Sequence, residues 1–271
     1  MPLEETITSR ANPLYRRLRA LKQRGAEREL CLLEGPTLVR EAIAAGVRVV
    51  EAAACASVSP GCAEAAAELR ARGVPLRAMT GELLASLSEL ETSQGLLALA
   101  ERPAFEEDAL FRATPLVLVA DAVQNPGNLG GLLRTAEAAG ATGAYLTAGC
   151  ADPFSWKALR GSMGSAFRLP HVRGLALDAV LERLAARGLA VLATAADGET
   201  RYDEADLRRP VSLLVGSEGA GLPAEALRRA DRRLRIPLAR PVESLNVGVA
   251  AALVLYEAAR QRGFAAATAA R

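Results

Sequence analysis

Five short apolar runs, at 116–120, 143–147, 189–194, 211–215 and 234–236, recur through the second half of the chain with room between them for helices. Most are unbroken by polar residues, whereas a strand with one wet face alternates, so the pattern predicts a largely parallel sheet covered on both faces. Strands alternating with helices define an α/β domain. The first part of the chain carries a looser form of the same rhythm: Leu14, Leu18 and Leu21 at helical spacing, then the runs LCLL, VRVV and LLALA among alanine-rich stretches. Two prolines and an acidic cluster in ERPAFEEDALFRATP suit a linker between the halves. The expected organisation is a small α/β domain over 1–100, a linker over 101–114 and a larger α/β domain over 115–271. A closing helix is expected over roughly 246–262.

Composition removes several classes of function. Much of the 51% of hydrophobic residues is alanine spread through amphipathic segments, so no block can span a bilayer. The opening MPLEETITSRANPLYRRL is charged from the start and lacks the apolar core of a secretory signal, which predicts a cytoplasmic protein. Cys31, Cys55, Cys62 and Cys150 form no C-x-x-C pair, and His171 is the single histidine. A metal site built on His and Cys is therefore not expected, and the cysteines read as reduced thiols, mostly buried. The net charge of +2 says little by itself. Its distribution says more: Arg10, Arg16, Arg17, Arg19, Lys22, Arg24 and Arg28 gather where few acids offset them before Glu27 and Glu29. Such a cluster suits a phosphate-facing surface and equally a solvated helix face.

Three motifs carry chemistry. In VLVADAVQNPGNLGGLLRTAEAAGA a buried strand runs into a glycine-rich turn that opens a helix, where Gly127, Gly130 and Gly131 permit close backbone approach and free N–H groups face an anion. The G-x-G-x-x-G spacing of a dinucleotide site is absent, which argues against an oxidoreductase. Asn128 and Arg134 can face the same mouth, although a tight turn followed by a surface arginine would also account for them. In VSLLVGSEGAGLP, Gly216, Gly219 and Gly221 crowd around Glu218 at the carboxyl end of a strand, where open α/β sheets bind ligands. Glu218 stands too far ahead of the next helix to be a good cap. In LRIPLARPVESLNVGVAAALVLYEAAR, Ser244 and Asn246 precede a long apolar helix, and capping alone would explain them.

In this order and spacing, N-P-G-N-L-G-x-x-x-R-T-A, V-G-S-E-G-x-G-L and I-P-L-x-x-x-V-E-S-L-N-V-x-V-A together resemble the motifs of the SpoU (TrmH-type) RNA 2′-O-ribose methyltransferases of the SPOUT superfamily. The match spans about 115–262, and the stretch KALRGSMGSAF from Lys157 is similar to the family's intermediate segment. More loosely, ITSRANPL and LLEGPTLVREA resemble the small RNA-binding domain that many members carry ahead of the catalytic one. The loop Ala239-Arg240-Pro241 departs from the small-residue loop common in the family.

The resemblance implies a C-terminal parallel sheet threaded into a trefoil knot, an exception to the rule against threaded loops. It implies S-adenosyl-L-methionine gripped by backbone near Thr194, Gly216, Ile236 and Leu245, with RNA, ribosomal or transfer, as substrate and no metal. Arg134 takes the catalytic place, with Asn128, Glu218, Ser244 and Asn246 positioning it. A guanidinium is not deprotonated in proteins, so Arg134 is expected to stabilise the developing alkoxide and adjacent phosphate, with proton loss late in the step. Base-nitrogen methylation and RNA binding without catalysis are the rival readings. A homodimer is also implied, with each active site built from both chains. The last helix supports this, since Val247, Val249, Ala250, Leu253, Val254 and Ala258 spread apolar surface around its circumference, although burial within its own domain would explain the same pattern.

Overall fold

A computed structural model describes residues 6–24, 29–56, 59–240 and 244–264. It divides into two compact units, Met1–Pro103 with Phe154–Phe167, and Ala104–Pro153 with Arg168–Arg271.

In the first unit, α1 (Pro13–Arg24), β1 (Leu30–Glu34), α2 (Gly35–Ala44), β2 (Val49–Ala54), α3 (Pro60–Ala71), β3 (Leu76–Ala78), α4 (Gly81–Leu87) and β4 (Leu96–Glu101) follow one another. The sheet has the order β1-β4-β2-β3, with β4 antiparallel to both neighbours and β3 parallel to β2. Leu14, Leu18 and Leu21 of α1 are buried against the sheet side chains Leu30, Leu32 and Leu99, as their spacing requires. β1 turns into α2 without an intervening loop because Gly35 takes φ +83, a conformation that other residues adopt only under strain. Of the basic cluster, Arg10, Arg16 and Arg19 are exposed, Arg17 lies 3.7 Å from Glu51, and Lys22 donates to the Ser88 carbonyl at 3.0 Å. Glu27, Arg28 and the Arg24 side chain lie outside the described residues.

The second unit starts with a 3-10 turn at Glu107–Phe111. Along the chain there follow β5 (Leu116–Ala120), α5 (Pro126–Ala138) and β6 (Gly143–Thr147), then α6 (Trp156–Ser162) and α7 (Ser165–Arg168), which up to Phe167 belong to the first unit, and then, again in the second, β7 (His171–Leu175), α8 (Leu177–Ala186), β8 (Ala190–Thr194), β9 (Thr200–Arg201), β10 (Val211–Val215), α9 (Ala224–Arg229), β11 (Arg232–Arg235) and α10 (Val247–Gln261). The seven strands are all parallel, in the order β7-β6-β5-β10-β8-β11-β9. Every residue of the central strands β5 and β10 is buried, which is why their sequences are apolar but for Ser212, whose hydroxyl donates to the Ala190 carbonyl. α10 packs on α5 and on β10.

Two strands lie outside the five expected ones. β7 (HVRGL) and β9 (TR) form the two edges, where one flank meets water and a continuous apolar run is not needed. The linker expectation also needs correction. Pro103 closes the first unit, and residues 104–114 pack into the second: Leu110 is fully buried, Tyr145 donates to Glu107, and the Arg187 guanidinium lies 4.3 Å above the Phe111 ring. The acidic residues that suggested a solvated linker are instead paired, Glu107 with Arg183 and Asp108 with Arg187. KALRGSMGSAF, expected within the larger domain, belongs to the first unit, where Trp156 Nε1 donates to the buried Glu34 at 2.8 Å. No helix among the described residues is long and apolar enough to cross a membrane.

Candidate active site

Thr194 ends β8, Gly216 follows β10 and Ile236 follows β11, so three adjacent strands finish at one place. There they border a cleft of about 410 Å³ whose lining also includes Glu218, Ser244 and Leu245. Ligands of open parallel sheets bind at such carboxyl ends, because the loops leaving them carry backbone groups that no ladder uses. Gly216 serves the cleft in a way that its sequence context does not reveal. A Cβ there would stand 2.6 Å from the Leu222 nitrogen and closer still to the Gly221 carbonyl, so the missing side chain makes room for the protein's own loop. That loop is closed by the Gly221 N–H donating to the Ser217 carbonyl at 3.0 Å, with Gly221 at φ +65. Gly198 does the same on the other side. Its Cβ would meet the β11 backbone at 2.7 Å, and the only sequence signal for this is a glycine in AADGET.

The two asparagines and the glutamate singled out from three separate motifs meet in a chain of hydrogen bonds. Asn246 Oδ1 accepts the N–H groups of Gly248 (2.9 Å) and Val249 (3.4 Å) at the start of α10. That leaves its Nδ2 to donate to Asn128 Oδ1 at 3.3 Å, and Asn128 Nδ2 in turn donates to Glu218 Oε1 at 2.7 Å. Helix capping and site geometry are thus one arrangement. Asn125, which sequence reasoning passed over, caps α5 by accepting from Gly127 (2.8 Å) and Asn128 (3.2 Å), and so sets the backbone from which Asn128 projects. It occupies the position before a proline at which an Asx cap is expected.

Arg134 is not brought to this place. It is exposed on α5, has no hydrogen-bond or ion-pair partner among the described residues, and lines neither the cleft nor the neighbouring groove. That groove, of about 700 Å³, runs between α5 and α10 past Asn128, Gly131, Asn246, Val249 and Leu253. Its Glu257 is held below the usual carboxylate range, chiefly by hydrogen bonds from Arg260. Where β5 ends, buried Asp121 accepts from Thr147 at 2.7 Å, and burial pushes the nearby Cys150 thiol up. None of the four cysteines is in a disulfide.

A parallel α/β unit with a cleft at its strand ends, a polar chain from helix cap to carboxylate at the lip, and a separate small α/β unit describe an enzyme domain joined to a substrate-binding one. Family models match two successive parts of the chain. Residues 115–256 match the SpoU rRNA Methylase family and residues 12–98 the MRM3-like substrate binding domain. The chain belongs to the SpoU rRNA methylase family. It is 38% identical over 263 residues to an uncharacterized tRNA/rRNA methyltransferase of Synechocystis sp., covering 95% of this chain and 94% of that one. It is 39% identical over 184 residues, 68% of this chain and 72% of the other, to the 23S rRNA (guanosine(2553)-2′-O)-methyltransferase RlmP of Bacillus subtilis. Among solved structures it resembles an AdoMet-bound rRNA methyltransferase from Sinorhizobium meliloti, with a TM-score of 0.84 and 32% identity over 94% of this chain and 97% of that one.

Proposed function

We propose that this chain transfers a methyl group from S-adenosylmethionine to a ribose 2′-hydroxyl of ribosomal or transfer RNA. The observation that carries the reading is that Asn246, Asn128 and Glu218, from three motifs far apart in sequence, join in one hydrogen-bond chain that ends at the strand-end cleft. The cleft fits the cofactor. Its wall is loop backbone around Thr194, Gly216, Ile236 and Leu245, which can grip a nucleoside without charged side chains, while Ser244 and Glu218 stand at the reacting side. Bound there, the cofactor supplies a methyl group activated by positive sulfur, so no metal is called on. The chain's own residues orient the ribose and stabilise charge. Asn128 and Asn246 fix Glu218, and Arg134 offers charge-assisted hydrogen bonds to the phosphate beside the reacting ribose.

Because Arg134 lies away from the cleft of its own chain, the reading includes a homodimer that pairs through α5 and α10 and supplies Arg134 of the partner subunit. Support comes from the apolar side chains left exposed there, Val249, Leu253 and Tyr256. The order of the sheet, with β10 set between the earlier strands β5 and β8, suits a chain that threads back through itself as the knot requires. Residues 1–100 select the RNA, with Arg10, Arg16 and Arg19 toward phosphate, and the protein works in the cytoplasm. The test is to incubate total RNA with labelled cofactor and map the product. An alkali-resistant dinucleotide is expected; label on a base nitrogen would refute the reading.

A further inference from the structure

We infer that Glu218 accepts the proton of the ribose 2′-hydroxyl, through the carboxylate oxygen that Asn128 leaves free. The inference rests on the ribose reading above and names the group that completes its chemistry. The first N–H groups of α10 can only donate, so Asn246 must turn its oxygen to them and its nitrogen to Asn128, which must then turn its own nitrogen to Glu218. The helix terminus therefore sets the polarity of the whole chain, and Glu218 is met by a donor at Oε1. Its Oε2 has no hydrogen-bond partner among the described residues.

Elimination leads to the same group. Among the described residues lining the cleft and the groove, three carry carboxylates: Asp197, Glu218 and Glu257. Asp197 stands 3.6 Å from Arg233, and Glu257 is occupied by Arg260 and Gln261, whereas Glu218 has no ion-pair partner among the described residues. The single histidine, His171, is buried in β7 against the Phe105 ring. Arg134 has no hydrogen-bond or ion-pair partner among the described residues, and a guanidinium holds its proton in proteins.

The step balances without a strong base. The 2′-oxygen forms its bond to the methyl carbon with one of its lone pairs, and the carbon–sulfur pair stays on sulfur, which becomes a neutral thioether. As this happens the hydroxyl becomes strongly acidic, its O–H pair stays on oxygen, and the proton passes to Oε2. A carboxylate suffices for a proton released this late.

The test compares wild type, Glu218→Gln and Glu218→Ala, reading both turnover on the RNA that wild type methylates and calorimetric affinities for cofactor and for RNA. Glutamine keeps an oxygen for Asn128 but cannot take the proton. It is expected to lower kcat by about a hundredfold or more while both affinities stay within about twofold. Added acetate should restore a saturable part of the rate to Glu218→Ala and none to Glu218→Gln. A Glu218→Gln enzyme within about threefold of wild type, or a loss found wholly in the affinities, would overturn the assignment alone. A wild-type protein that leaves no alkali-resistant dinucleotide would overturn the ribose reading and this inference with it.

Discussion

At the scale of single residues, two positions make predictions that sequence context would have set differently. Gly216 looks like a gap left for a ligand, yet its α-hydrogen faces the Gly221–Leu222 backbone, so even one methyl must displace the Ser217–Gly221 turn. Gly216→Ala is therefore expected to lower Tm by several degrees and to weaken cofactor binding together, as thermal melting and calorimetry would read. Weakened binding with an unchanged Tm would mean that the glycine serves the ligand directly. His171 is a second case. Burial pushes its pKa from the ordinary 6.5 down to about 4, so it stays neutral in the fold where the unfolded chain would protonate it. Between those values the unfolded state binds more protons, and stability falls as pH drops through the window, by at most about 1.4 kcal/mol per pH unit. Denaturation at pH 7 and pH 4.5 should show a smaller loss for His171→Gln than for wild type; equal losses would place the acid sensitivity elsewhere.

At the scale of elements, the caps of α5 and α10 join stability to chemistry. Asn125→Ala and Asn246→Ala each remove an oxygen that accepts from the first helical N–H groups and should each cost about 1 kcal/mol in denaturant unfolding. Their effects on turnover should differ. Asn125 holds only backbone, whereas Asn246 also orients Asn128, so Asn246→Ala should lose the larger share of kcat at similar stability. Equal kinetic effects would show that the hydrogen-bond chain matters no more than the helix start. α10 also resolves an ambiguity in its own sequence. Val247, Val254 and Ala258 are buried in the domain, while Val249 and Leu253 face outward with Tyr256, so the apolar ring divides between core and surface.

At the scale of the whole molecule, that outward face and the isolated Arg134 lead to one prediction. If each site draws Arg134 from one chain and Glu218 from the other, a mixture of Arg134→Ala and Glu218→Gln proteins regains activity after subunit exchange. Random pairing makes half the dimers mixed, each with one complete site, giving about a quarter of wild-type turnover. The parent variants should remain inactive. An inactive mixture, or sedimentation showing an active monomer, would exclude the shared site.

The strands buried on both faces, the helix caps and the glycine turns were legible in the sequence because each is a local requirement: an apolar run, an oxygen before a helix, a residue without a side chain. From these the three motifs and the α/β class follow. The edge strands β7 and β9 were not legible, since a strand with one wet flank needs no continuous apolar signal. Nor was the packing of 104–114, whose charges read as solvated until Arg183 and Arg187 of a distant helix came to meet them. Which side of Gly216 is crowded, which way the amides of Asn128 and Asn246 point, and that Arg134 stands apart all depend on elements far apart in the chain. Local patterns record what each segment needs, and only the tertiary structure decides which distant segment supplies it.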